Sequence, residues 1–170
     1  MPRPQDEAYQ PPQDGRLTPK QVEQFLAVAA KVRTIQKGAP AGPSPVDQPP
    51  VDLTAAREVP FNVNEYLWVK ERILEAEGAL LAQKLRADHI ALLEKTLADL
   101  RRRRAEAPDE GSKKLLAEQA ANFEDELSRT RRETREKEPE SIRENLKVIH
   151  PFRGRLNALQ GELSRMVPPK

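Results

Sequence analysis

The sequence predicts an all-α protein: an elongated helical bundle built on an antiparallel coiled-coil hairpin, preceded by a disordered N-terminal tail. Three observations lead there. Of 170 residues, 33% are charged and only 4% aromatic, a balance that suits helices burying a narrow stripe better than a thick core. Apolar residues recur at three- and four-residue spacing over long stretches, above all between 61 and 105, where no proline intervenes. The grammar of a helix start, a capping residue answered three positions later by Gln or Glu, occurs three times.

Taken in order, residues 1–16 are polar and proline-rich and read as a disordered tail. The first helix, residues 17–37, opens on Leu-Thr-Pro-Lys-Gln. Thr18 is its cap, Pro19 fits the first helical position, Gln21 completes a capping box, and Leu17 and Val22 are spaced as a hydrophobic staple. Val22, Phe25, Leu26, Ala29, Val32 and Ile35 follow on one face, and Gly38 ends the run. Residues 38–60 are a proline-dense linker that cannot form a core alone, with a helical turn expected between Val51 and Glu58.

The second helix, expected over 63–105, repeats the same grammar. Asn62 caps, Glu65 lies three residues on, and Phe61 staples onto Tyr66. At 1.5 Å per residue it would run roughly 60 Å, a length typical of coiled-coil arms. Its apolar stripe changes face. Tyr66, Val69, Ile73 and Leu80 share one side, with Leu74 and Leu81 beside it, whereas Ile90, Leu93, Leu97 and Leu100 share another. Two faces imply two packing partners along one helix. After Ala107-Pro108-Asp109, a third helix over 110–137 carries Leu116, Ala120, Phe123 and Leu127. The short connection predicts an antiparallel hairpin pairing Leu100 with Leu116, Leu97 with Ala120, Leu93 with Phe123 and Ile90 with Leu127. A last helical stretch, 140–166, begins near Pro139 and Ser141, with Glu144 completing another capping box. It keeps a near-heptad beat through Ile142, Leu146, Ile149, Leu156, Leu159, Leu163 and Met166, with a break at His150-Pro151.

The block Arg101–Arg104 is the weak nucleic-acid candidate. Successive helical residues advance by about 100°, so these four cations fan around the helix and make no single phosphate-tracking face. They stand in the last turn, where cations suit the negative end of the helix dipole. Acidic neighbours Glu106, Asp109 and Glu110 follow, no aromatic platform accompanies them, and net charge is only +2. Trp68 is the partner-binding candidate. It lies about 200° from Tyr66 on the helical wheel, so one face cannot bury both, and exposed tryptophans are enriched at interfaces.

Catalytic chemistry finds no foothold. There is no cysteine, no nucleophile–base constellation and no phosphate loop. His89 and His150 lack the carboxylate spacing of a helical metal site, so no metal and no cofactor are expected. No apolar run reaches the length of a membrane span. The opening residues have neither a basic stretch nor an apolar one, which reads as cytoplasmic, although a proline-rich lead also follows a trimmed envelope-sorting signal. The leading expectation is a non-enzymatic structural or adaptor protein acting through a protein partner or self-association. The alternatives are an envelope-associated, chaperone-like helical protein and a nucleic-acid accessory factor using the arginines.

Overall fold

The protein was analysed as a computed structural model that describes residues 8–38, 50–59, 61–135 and 138–166, with side chains up to residue 159. The first seven residues, the linker positions 39–49 and 60, the tip of the predicted third helix at 136–137, and residues 167–170 lie outside them. The fold is all-α. Six α-helices are described: α1 (Pro19–Gly38), α2 (Val51–Glu58), α3 (Val63–Glu106), α4 (Glu110–Arg135), α5 (Glu140–Ile149) and α6 (Arg153–Met166). The chain divides into two compact units, one of residues 1–77 with 139–170 and one of residues 78–138.

In the first unit, α1 begins as its sequence dictates. The Thr18 amide donates to Gln21 Oε1 at 2.9 Å and the Gln21 amide to Thr18 Oγ1 at 3.3 Å, a complete capping box. Its apolar face supplies buried Val22, Leu26 and Val28. The first turns of α3 supply Tyr66, Val69, Ile73 and Ala76, and α2 supplies Ala55 and Ala56. Phe61 stands edge-on to Tyr66 with ring centres 6.2 Å apart, and Phe25 of α1 stacks on Tyr66 at 5.9 Å. Asn62 caps α3 by accepting from the amides of Asn64 and Glu65 at 2.9 and 3.0 Å. Glu65 turns away from the reciprocal bond, its Oε1 accepting from Gln21 Nε2 at 2.8 Å.

The C-terminal helices close the same core through Ile149 and Leu156. Helix α5 starts at Glu140, where expected, but without the capping box: Pro139 is at its N-cap with no side-chain bond, and Glu144 pairs with Lys147 at 2.6 Å. The break at Pro151 is a single 3₁₀ turn, His150–Phe152. His150 stays in right-handed helical geometry and its amide still reaches the Leu146 carbonyl. Proline at the start of the tighter turn thus interrupts the ladder without redirecting the preceding residue, contrary to the usual bias.

The sequence leaves residues 1–16 as a disordered tail, and here the described part, residues 8–16, differs. Gly15 takes a left-handed backbone, φ 65°, which glycine alone adopts without cost. Asn145 of α5, 2% exposed, grips both sides of that turn. Its Oδ1 accepts from the Leu17 amide at 2.7 Å and its Nδ2 donates to the Gly15 carbonyl at 3.0 Å. Arg16 adds an ion pair to Glu140 at 2.9 Å. Local composition pointed to disorder, but partners about 130 residues away satisfy this backbone.

The second unit is the expected hairpin. Leu93, Leu97 and Leu127 are buried together, with Ile90, Ala120 and Phe123 packed against them. Cross-helix polar contacts hold the same antiparallel register: the ion pairs Arg101 to Glu124 at 2.8 Å and Arg131 to Glu94 at 2.6 Å, and a hydrogen bond between His89 Nε2 and Glu126 Oε1 at 3.1 Å. Asp109 starts α4, accepting from the Ser112 amide at 2.8 Å and its hydroxyl at 2.7 Å. The Ser112 amide and hydroxyl, with the Gly111 amide, hold the Asp109 carboxyl below its ordinary value.

Candidate functional site

The two sequence candidates fall in different units. Trp68 is half-buried against the first core. The partner its awkward wheel position calls for is the chain's own Tyr9, whose ring centre lies 5.8 Å away at a tilt of 52°. Gln21 fixes Tyr9 in turn, its Nε2 lying 3.1 Å from the Tyr9 hydroxyl. Burial, then the nearby Glu65 charge, raises the Tyr9 phenol above its ordinary value, so it stays a neutral hydrogen-bonding group.

The arginines are all exposed and diverge. Arg101 reaches across to Glu124, while Arg102 and Arg103 turn back to Asp99 at 2.6 and 4.0 Å. The Arg104 carbonyl accepts from the Ala107 amide at the helix end. Three of the four charges thus spend themselves on carboxylates of their own hairpin. Replacing all four by glutamine keeps helix propensity and removes exposed pairs that are individually weak. The expected result is a small drop in unfolding midpoint that shrinks in high salt, with no change in retention on immobilised nucleic acid. A strong retention lost in the variant, with a salt slope flattened by several units, would instead make the block a phosphate-binding site.

Two features went unseen in the sequence. The first is a polar cluster on the Tyr66 side of α1. Lys70 Nζ lies 2.6 Å from Asp52 Oδ2, and the Tyr66 hydroxyl donates to the same oxygen at 3.3 Å. Burial alone would raise the Asp52 carboxyl, but Lys70, the Leu53 amide and the Tyr66 hydroxyl together hold it below its ordinary value. Burial, followed by the Asp52 charge, pushes the Tyr66 phenol well up. Because Asp52 is depressed, its stabilising contribution is present above the ordinary carboxylate pKa and is lost as pH falls through the lowered value. The sequence offered no signal for this cluster, since Asp52 sits in the proline-dense stretch.

The second is a leucine face on α3. Leu67, Leu74, Leu81, Leu85 and Leu92 are 43 to 60% exposed. At 100° per residue they fall within a sector of about 40°, apart from both buried faces. The sequence had set Leu74 and Leu81 beside the first buried stripe. Single exposed leucines mean little, but Leu67 and Leu74 in the first unit, and Leu81, Leu85 and Leu92 in the second, recur at near-heptad spacing along the helix.

Among the described residues, no group of three or more His, Asp or Glu side chains is placed to hold a metal ion, and no helix is long and apolar enough to cross a membrane. Fold and surface together define the class as an all-α protein whose longest helix serves two packing units. No protein-family model, no curated protein and no solved structure matches the chain.

Proposed function

We propose that the protein is a non-enzymatic structural or adaptor protein that works by helix–helix association through the leucine face of α3, and that a second copy of the chain is its first occupant. The observation that carries this reading is the spacing of the five exposed leucines, seven, seven, four and seven residues apart, the beat of a coiled-coil seam. The pattern is also self-complementary when reversed. With two α3 helices antiparallel about a two-fold axis level with the Ala79–Leu80 peptide, Leu67 meets Leu92 of the second copy and Leu74 meets its Leu85. Leu81 then faces Gly78, where an added Cβ would meet nothing within 4 Å, a natural hole for a leucine knob. The same register sets Glu71 against Asp88 of the second copy, a like-charge layer that weakens the pairing.

Covering ten half-exposed leucines removes on the order of 1,000 Å² from water, the low end for a specific interface, so the dimer should be weak and reversible. Sedimentation across a concentration series tests this. The wild-type chain should pass from monomer to dimer. The double variant Leu74→Glu/Leu85→Glu should stay monomeric with unchanged helical circular dichroism, and Glu71→Lys should dimerise more tightly. A wild-type chain that remains monomeric at several hundred micromolar defeats the self-association, and an unchanged Glu71→Lys variant defeats the register.

A further inference from the structure

The first unit contains a cavity of about 400 Å³ between α1, α2, α3 and α6. Its walls are chiefly apolar, formed by Phe25, Val32, Val51 and Leu159, and the described lining includes none of the five exposed leucines of α3. That size and lining are typical of small-molecule sites, where a few polar groups select the ligand. Here the selecting groups are charged. Arg33 of α1 and Lys70 of α3 border the space, and Asp52 of α2 is the one acid among the described lining residues. The Asp52 carboxylate is already engaged at both oxygens. Its Oδ2 accepts from Lys70 Nζ at 2.6 Å and from the Tyr66 hydroxyl at 3.3 Å, and its Oδ1 from the Leu53 amide at 3.0 Å. That pairing uses one of the three donors of the Lys70 ammonium, and the Arg33 guanidinium carries five, more than a single partner takes up. Two cations against one carboxylate leave the described lining with an excess of one positive charge beside an apolar interior, where charge acts more strongly than in water.

We infer that this cavity binds a medium-chain amphiphile with a single anionic head, of the fatty-carboxylate class, the head held by Arg33 and Lys70 and the hydrocarbon lying along Phe25, Val32 and Leu159. Charge-assisted bonds to the head give orientation and selectivity. The chain gives affinity through burial, about fourfold for each methylene taken out of water. Ala29, on the same helix as Arg33, also borders the space, so a larger side chain there fills it.

Titration calorimetry on the full chain with octanoate, octanol and octylammonium tests the assignment. Octanoate should bind saturably, one per chain, and about tenfold more tightly than octanol, as befits hydrogen bonds to a charged group, with octylammonium weaker than both. Arg33→Gln should bring octanoate down to the level of octanol and leave octanol unchanged. Asp52→Asn removes the acid from the lining and should tighten octanoate several-fold, a gain that a damaged fold does not produce. Ala29→Phe should abolish binding of octanoate and octanol with helicity retained, and if that variant misfolds, the other two decide. The inference is overturned by a wild-type chain that shows no saturable octanoate binding, or that takes octanol or octylammonium as tightly. It is equally overturned by an octanoate preference that survives Arg33→Gln, by an Asp52→Asn chain that binds octanoate no more tightly, or by undiminished binding to a folded Ala29→Phe chain.

Discussion

Replacing Phe61 by alanine should lower the unfolding free energy by about 3 to 5 kcal/mol, the range for truncating a buried aromatic. Phe61 is 2% exposed and sits where the chain enters α3, its amide donating to the Val59 carbonyl at 2.7 Å. Its ring fills the corner between Tyr66 and the buried face of α1. Truncation therefore removes apolar burial, leaves a void, and loses the staple that sets the entry angle of the helix. Urea unfolding followed by the Trp68 signal and by circular dichroism reads the effect. Leu67→Ala, on the exposed face of the same helix, is the control and should change the midpoint little. If the two variants lost equal stability, the aromatic corner would not be the centre of this core.

The second large effect is expected at Asn145. Its side chain makes two bonds to backbone groups of the N-terminal segment, and alanine would leave a buried amide without a partner. Leaving one buried group unmet costs about 1 to 3 kcal/mol, and the released segment adds to that by freeing Tyr9 from Trp68. Asn145→Ala should therefore destabilise by roughly 2 to 4 kcal/mol, red-shift the Trp68 emission, and speed hydrogen exchange at the Leu17 amide. Asn145→Asp is a sharper case. A carboxylate can still accept from Leu17, but it cannot donate to the Gly15 carbonyl and it places a charge in a buried site. It should be at least as damaging. A native emission spectrum in both variants would show that the segment is held by something other than Asn145.

Much of the helical skeleton was legible because the signals are local. Thr18 and Gln21 lie within one turn, as do Asn62 and the amides it caps, and hydrophobic period alone revealed that α3 buries one face at Tyr66–Ile73 and another at Leu93–Leu100. The hairpin pairing of Leu93, Leu97, Phe123 and Leu127 followed from a short loop between two stripes. What escaped depends on partners far along the chain or on competition between near neighbours. Nothing near Tyr9 announces Trp68, and nothing near Gly15 announces Asn145. Asp109 went unremarked as a cap because it was read only as a diluting charge after the arginines. The expected box at Ser141 and Glu144 failed because the helix already begins at Glu140 with Pro139 as its N-cap, so Ser141 lies inside the first turn, and Glu144 pairs with Lys147 instead. The candidate surfaces were the least legible, since which leucines stay exposed is decided only once both buried faces are chosen.

The division of the chain also bears on how the protein is made. Residues 78–138 form one continuous stretch, whereas the first unit draws on residues from both sides of it. During synthesis the hairpin has all its parts before α5 exists, because domains tend to fold as units in order of emergence. Leu17 and Gly15 meanwhile leave the ribosome with their backbone groups uncommitted, and Asn145 reaches them only after more than a hundred further residues have been added. The nascent N-terminal segment therefore spends that interval open to chaperones and proteases, until α5, translated after the whole hairpin, latches it.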